Sequence, residues 1–293
     1  AKLSVIDENN KVIDEWTSTS KTHKIEGLKV GKTYTLREDL APIGYVKSTD
    51  IEFKVENTGK VQKVTMIDKV VEISKTDITT GEELEGAELT VTDENGKVID
   101  SWVSTKEAHK VTGLEEGKKY TLTETTCPYG YKQAESITFE VSKDKETQKI
   151  EMKDAPILKN VKVQKVDNET KEIIKEKFVF GIYKDSECKD MIQELKSNNG
   201  DGFVEFKDLR YETYYIKELK APVGYELSNR VAKVEINDKG IFVDNSQVEE
   251  KDGTIEFNFE NKHIEIPKTG DNSHIKLAVG IIILSILGLA LLF

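Results

Sequence analysis

Residues 1–16, AKLSVIDENNKVIDEW, return almost unchanged as residues 87–102, AELTVTDENGKVIDSW, and this echo decides how the chain is organised. The match continues without gaps at a constant offset of 86 residues: Trp16 falls on Trp102, His23 on His109, Tyr34 on Tyr120, Glu38 on Glu124 and Asp68 on Asp154. A fixed period of this kind marks tandem copies of one structural unit. The middle of the repeat, YTLREDLAPIGY (34–45) and YTLTETTCPYGY (120–131), occurs a third time as YYIKELKAPVGY (214–225). Three modules follow, at 1–69, 70–155 and 156–264. The first lacks the opening strand that the second shows as VVEISKTD, and the third is the longest.

Within each module, short runs rich in Thr, Val, Ile, Tyr and Phe alternate with polar residues. Turn signals such as ENGK, NNGDG and NDKG separate the runs. That pattern predicts an all-β chain of tandem antiparallel β-sandwich modules. The one stretch with any helical pattern is Ser186–Lys196. The Pro-x-Gly-Tyr segments at Pro42–Tyr45, Pro128–Tyr131 and Pro222–Tyr225 predict tight turns after the strand before them.

Side chains alternate faces along a strand, so residues of one parity share one environment. In the second module Val71 and Ile73 share a face with Lys75, Tyr120 and Leu122 with Glu124, and Ile150 and Met152 with Asp154. The third module repeats the arrangement with Val161 and Val163 before Lys165, Tyr214 and Ile216 before Glu218, and Phe257 and Phe259 before Asn261. The first keeps Leu36 with Glu38 and Met66 with Asp68. One lysine closing an apolar face is ordinarily a snorkelling end residue. Eight in-phase cases across three copies point instead to buried clusters. Burial drives amine and carboxyl toward their neutral forms, and a neutral amine held against a carboxyl can form an amide at high effective concentration. An unlinked buried charge cluster is the alternative.

Net charge is −11, with acidic and basic residues mixed rather than in blocks, which excludes a nucleic-acid footprint. The four histidines lack metal-ligand spacing, and no Ser-His-Asp set, nucleophile elbow or phosphate-cradling loop occurs. Neither a cofactor nor enzymatic turnover is expected. Cys127 and Cys188 lie in different modules and are not expected to pair.

The segments SKTDITTGEELEGAEL (74–89), YTLTETTCPYGY, IEMKDA (150–155) and FNFENK (257–262) resemble the Cna B-type, or prealbumin-like, domains of Gram-positive adhesins and pilins. The resemblance implies intramolecular isopeptide bonds from Lys75 to Asp154 assisted by Glu124, and from Lys165 to Asn261 assisted by Glu218. In the first module it implies Glu38 as the assisting acid and Asp68 as an acceptor whose lysine lies upstream of Ala1. Two departures stand out: Cys127 replaces the alanine usual before proline, and the third module opens TKEIIKEKFVFGIY without a Gly-Ala pair.

Ile266-Pro267-Lys268-Thr269-Gly270 resembles the LPXTG sortase motif, with Ile for Leu. It sits in a spacer at 265–274 and precedes a hydrophobic segment at 275–293, whose uncharged run Leu277–Phe293 is long enough to be a C-terminal transmembrane helix. The resemblance implies a transient membrane anchor, cleavage by sortase after Thr269, and attachment through Thr269 to peptidoglycan or to a pilin subunit. The absence of a leader before Ala1 and of terminal basic residues after Phe293 reads as truncation at both ends. The expected function is therefore the stalk of a cell-wall-anchored surface protein, either an adhesin stalk or a basal pilin. No V-x-x-Y-P-K segment marks it as a pilus backbone. The alternatives are an adhesin that binds a host extracellular protein or glycan on these modules, and the anchor region of a surface enzyme whose catalytic domain lies upstream.

Overall fold

The computed structural model describes residues 1–264, so the sortase-like segment from Ile266 on and the hydrophobic segment lie outside the described residues. Among the described residues every regular element is a strand, and none is a helix long and apolar enough to cross a membrane. The chain divides into two compact units, residues 1–158 and the residues from Lys159 on.

The first unit holds the first two modules. In the first module β1 (Lys2–Asp7), β2 (Val12–Thr17), β3 (Thr33–Leu40) and β4 (Ile51–Lys54) form one antiparallel sheet in the order β2-β1-β3-β4. The second module runs through β5 (Val70–Asp77), β6 (Glu88–Asp93), β7 (Val98–Val103), β8 (His109–Lys110), β9 (Lys119–Thr126), β10 (Tyr131–Lys132), β11 (Ile137–Glu140) and β12 (Thr147–Pro156). It builds two sheets, β10-β12-β5-β8 and β11-β9-β6-β7. Between them Val71, Ile73, Leu89, Val91, Leu122 and Met152 form a closed core.

The second unit contains β13 (Lys159–Asp167), β14 (Val179–Tyr183), β15 (Met191–Lys196), β16 (Phe203–Leu209), β17 (Thr213–Lys220), β18 (Val231–Asn237), β19 (Gly240–Val243), β20 (Ser246–Val248), β21 (Glu250–Lys251) and β22 (Thr254–Asn261). Its sheets are β16-β13-β22-β21 and the six-stranded β15-β14-β17-β18-β19-β20. Phe178, Phe180, Phe206 and Phe259 fill the space between.

Local chemistry sets the turns. In the β6–β7 hairpin the Asp93 carboxylate accepts from the amides of Asn95 and Lys97, while Gly96 takes φ 78°. The first module puts Asn10 at the equivalent place with φ 60°, a conformation asparagine tolerates better than most side chains. In each Pro-x-Gly-Tyr segment the tyrosine amide donates to the proline carbonyl and the glycine has φ between 80° and 91°, which makes a type II turn.

Two expectations change. The sheets are not purely antiparallel: β12 pairs with β5 in parallel, and β22 with β13 likewise. Period-two alternation reports which face a side chain takes, not the direction of the neighbouring strand, so this pairing was invisible in the pattern. Within Ser186–Lys196, residues Met191–Lys196 form edge strand β15 antiparallel to β14. Its side chains are mostly exposed, and without one buried face it shows no alternation.

The two modules of the first unit interlock. Val46 is fully buried in the core of the second module. Lys47 exchanges backbone hydrogen bonds with Leu114 and Glu116. The buried Glu116 carboxylate accepts from the Thr49 amide (3.1 Å) and hydroxyl (2.8 Å) and pairs with Lys69 at 2.6 Å. Burial pushes the Glu116 carboxyl up, and the Lys69 and Thr49 hydrogen bonds outweigh it, holding the group below its ordinary range.

Candidate functional site

Parallel pairing of the first and last strands brings the predicted groups together. Lys75 lies opposite Met152, so Asp154 is one pleat repeat further on along the same face. Lys165 lies opposite Phe259 and stands in the same relation to Asn261. One repeat is about 6.6 Å, a span that an extended lysine stem covers while lying along the strand. The assisting glutamates enter from the facing sheet, on β9 and β17.

In the second module the Lys75 amine contacts the Asp154 carboxylate and lies 2.9 Å from Glu124 Oε1. All three side chains are buried to within 1% of complete. Glu124 is fixed by the Ala134 amide, which donates to Oε2 at 2.7 Å. Burial first, then the neighbouring Glu124, pushes the Asp154 carboxyl up to about 6 against the opposing pull of Lys75.

In the third module the Lys165 amine contacts Asn261 Oδ1 and lies 2.7 Å from Glu218 Oε1. The Asn261 side-chain amide donates to both Glu218 oxygens at 3.0 and 2.9 Å and to the Glu226 carbonyl at 2.8 Å. The Ser228 amide fixes Glu218 at 2.9 Å, as the Ala134 amide fixes Glu124. Phe180 and Phe259 line the amine at 5.1 and 4.5 Å. Burial brings the Lys165 ammonium down to about 8 despite the Glu218 carboxylate.

The first module presents half of this site. Glu38 is fully buried, and its Oε2 accepts from the Ser48 amide at 2.7 Å. Burial, together with the nearby Asp68 carboxylate, raises its carboxyl above the ordinary range. Asp68 is half-buried and lies in no strand.

The sequence reading missed one repeated contact. Tyr131 of the second Pro-x-Gly-Tyr turn donates its hydroxyl to Asp77 at 2.8 Å, and Tyr225 bonds Asp167 in the same way. Each tyrosine thus ties the turn after the glutamate strand to the residue two beyond the lysine. The repeated spacing Lys75-x-Asp77 and Lys165-x-Asp167 carried that signal. Cys127 and Cys188 are both free. Among the described residues no cluster of His, Cys, Asp and Glu could hold a metal ion.

A family model described as SpaA, a prealbumin-like fold domain, matches residues 1–70, 69–156 and 159–252. Among solved structures, the Bacillus anthracis TIE protein is similar at a TM-score of 0.51 and 26% identity, over 89% of this chain and 47% of that one. The chain therefore spans about half the length of that structure. A C-terminal fragment of the pilus adhesin SpaC from Lactobacillus rhamnosus GG matches at a TM-score of 0.46 and 13% identity, over 68% of this chain and 98% of the fragment. GBS52, the minor pilin of Streptococcus agalactiae, matches at 0.31 and 14%, over 70% of this chain and 100% of that one. No curated protein matches the chain.

Proposed function

The chain belongs to the SpaA family of prealbumin-like fold domains, and from that premise we propose that it is the stalk of a Gram-positive surface protein, cross-linked inside its modules. One observation carries the reading: two separate modules each seal a lysine of the first strand against an acceptor on the last, with a glutamate beside both. Leaving three such groups buried and unlinked costs several kcal/mol of hydration per ion. Condensation removes that cost because an amide is uncharged.

The Lys75 amine attacks Cγ of Asp154, the new C–N bond forms, the C–OH bond breaks, and one water leaves. At Asn261 the Lys165 amine displaces the side-chain amide nitrogen, which leaves as ammonia. Glu124 and Glu218 polarise the carbonyl being attacked and pass a proton to the leaving group. Each event happens once per molecule, so the acid acts in maturation and not in turnover.

The segment Ile266-Pro267-Lys268-Thr269-Gly270 and the apolar residues after it support wall attachment by sortase through Thr269, to peptidoglycan or a pilin subunit. Extended modules anchored in this way would hold an adhesive region, or another pilin, away from the cell wall. Intact-mass measurement tests the cross-links. The native chain should fall short of its sequence mass by one water plus one ammonia, and proteolysis should yield branched peptides joining Lys75 to Asp154 and Lys165 to Asn261. Full sequence mass in folded protein would reduce both sites to buried charge clusters.

A further inference from the structure

The acceptor residues sit where their pairing with the lysine strand runs out. Asp154 lies opposite Asp77 at the last step of the β5–β12 ladder, and Asn261 lies opposite Asp167 at the last step of the β13–β22 ladder. Ladder ends open most readily unless something ties them down. Condensation tolerates little of that motion, since a displacement of about 1 Å between reacting groups can cost about a hundredfold in rate.

Both modules tie the end down in the same two ways. The Ile78 amide donates to the Asp154 carbonyl and the Asn168 amide to the Asn261 carbonyl, each at 3.0 Å. The second tie is the tyrosine hydrogen bond. In the sheet β10-β12-β5-β8 the acceptor strand β12 lies between Tyr131 and Asp77. The bond from the Tyr131 hydroxyl to Asp77 Oδ2, 2.8 Å long, therefore spans β12 at its reacting end. Tyr131 also pairs with Pro156, two residues past Asp154. Tyr225 is bridged in the same way to His263, two residues past Asn261, and bonds Asp167 of β13.

Each aspartate is itself held. Asp77 Oδ1 accepts from the Thr79 and Thr80 amides at 2.6 and 3.2 Å, and Asp167 Oδ1 accepts from the Glu169 and Thr170 amides at 2.8 and 2.9 Å. The Thr170 and Glu169 amides hold the Asp167 carboxyl below its ordinary range, and burial raises the Tyr225 hydroxyl, so acceptor and donor keep their roles. The two modules use different acceptors, an aspartate and an asparagine, yet share this strap. It therefore serves the step they have in common, which is bringing amine and carbonyl carbon together.

We infer that Tyr131 and Tyr225 are positioning residues for the cross-links, each strapping the acceptor end of the last strand to the aspartate two residues beyond the reacting lysine. The inference rests on the cross-linking read above and adds no bond to it. Neither tyrosine moves a proton in the step; each keeps the acceptor carbon within reach of the amine.

The test follows the full chain made by cell-free translation, which starts unlinked, at a temperature low enough to resolve the native half-times. Samples are stopped at intervals in denaturant, and proteolysis quantifies the branched peptide of each module. Pulsed amide exchange on parallel samples times the protection of β5 and β12, and of β13 and β22. Tyr131→Phe should slow Lys75–Asp154 linkage at least about tenfold, the scale of one lost hydrogen bond to a charged group. Strand protection should appear on schedule, and Lys165–Asn261 should link at the native rate. Tyr225→Phe should give the mirror image. Asp77→Asn, whose side-chain amide still donates to the Tyr131 hydroxyl, should link at close to the native rate. Unchanged linkage in both Phe variants overturns this inference alone. So does a delay that strand protection shares, which makes the tyrosine a folding contact, and so does an Asp77→Asn chain as slow as Tyr131→Phe. A native chain that folds and yields neither branched peptide overturns the cross-linking reading, and this inference with it.

Discussion

Replacing Lys165 with Met and Glu218 with Gln together removes both charges from the third module and leaves its packing in place. The rings of Phe180 and Phe259 that line the amine accept a thioether readily. A glutamine oxygen still accepts from the Ser228 amide. If Lys165 and Asn261 are merely in contact, the exchange should be neutral or stabilising by about 1–4 kcal/mol, as when buried ion pairs are replaced by neutral groups of similar volume. If they are bonded, the variant loses a closure between residues 96 apart in sequence. In the chain-entropy treatment that closure contributes about 4.7 kcal/mol at 25 °C. For a module of this size the loss corresponds to a fall in Tm of roughly 20 °C. The two cases differ in sign, so precision is not limiting. Differential scanning calorimetry of the full chain in mild detergent, native against variant, reads the transition of the second unit. A Tm that is unchanged or raised would refute the cross-link.

Three further outcomes are expected. Glu124→Gln should leave the second module folded, by circular dichroism, but restore the mass of the water lost at Lys75 and Asp154; a retained deficit would remove the acid role. In Lys75→Met the Asp154 carboxyl stays free; burial already raises it from 3.8 to about 6 against the pull of Lys75, and removing that cation raises it further. A raised carboxyl contributes stability that is full below its unfolded value and lost as pH rises toward and through its folded one. The variant should therefore be less stable at pH 8 than at pH 4, by at least about 2–3 kcal/mol, and denaturant titration at the two pH values checks this. Finally, Thr269→Ala expressed with a cognate sortase should abolish release by muralytic enzymes, whereas detergent extraction of the unaltered chain at full length would show a permanent anchor.

The faces of the strands were legible in the sequence and their directions were not. Lys75, Glu124 and Asp154 could be assigned to one interior because parity is a local property of each strand. That Asp154 sits one repeat beyond Lys75 depends on the parallel pairing of β5 and β12, which no local pattern encodes. Edge strand β15 was hidden for a related reason, since a strand exposed on both faces has no alternation to display. The tether between Tyr131 and Asp77 needs tertiary proximity across 54 residues and could be suspected only from its recurrence.

The interlock between the first two modules bears on how such a chain bends. Rotating the first module against the second would draw Val46 out of a closed core and strip Glu116 of Thr49 and Lys69 at once. Re-exposing one buried valine costs about 1.5–3 kcal/mol, several times thermal energy, before any polar contact is counted. Residues 1–158 should thus move as a single lever whose length is that of two modules rather than one. Thermal agitation at the far end is then passed along undiminished instead of being absorbed at a swivel, and whatever sits beyond the first module samples a narrower cone of directions than freely jointed beads would allow.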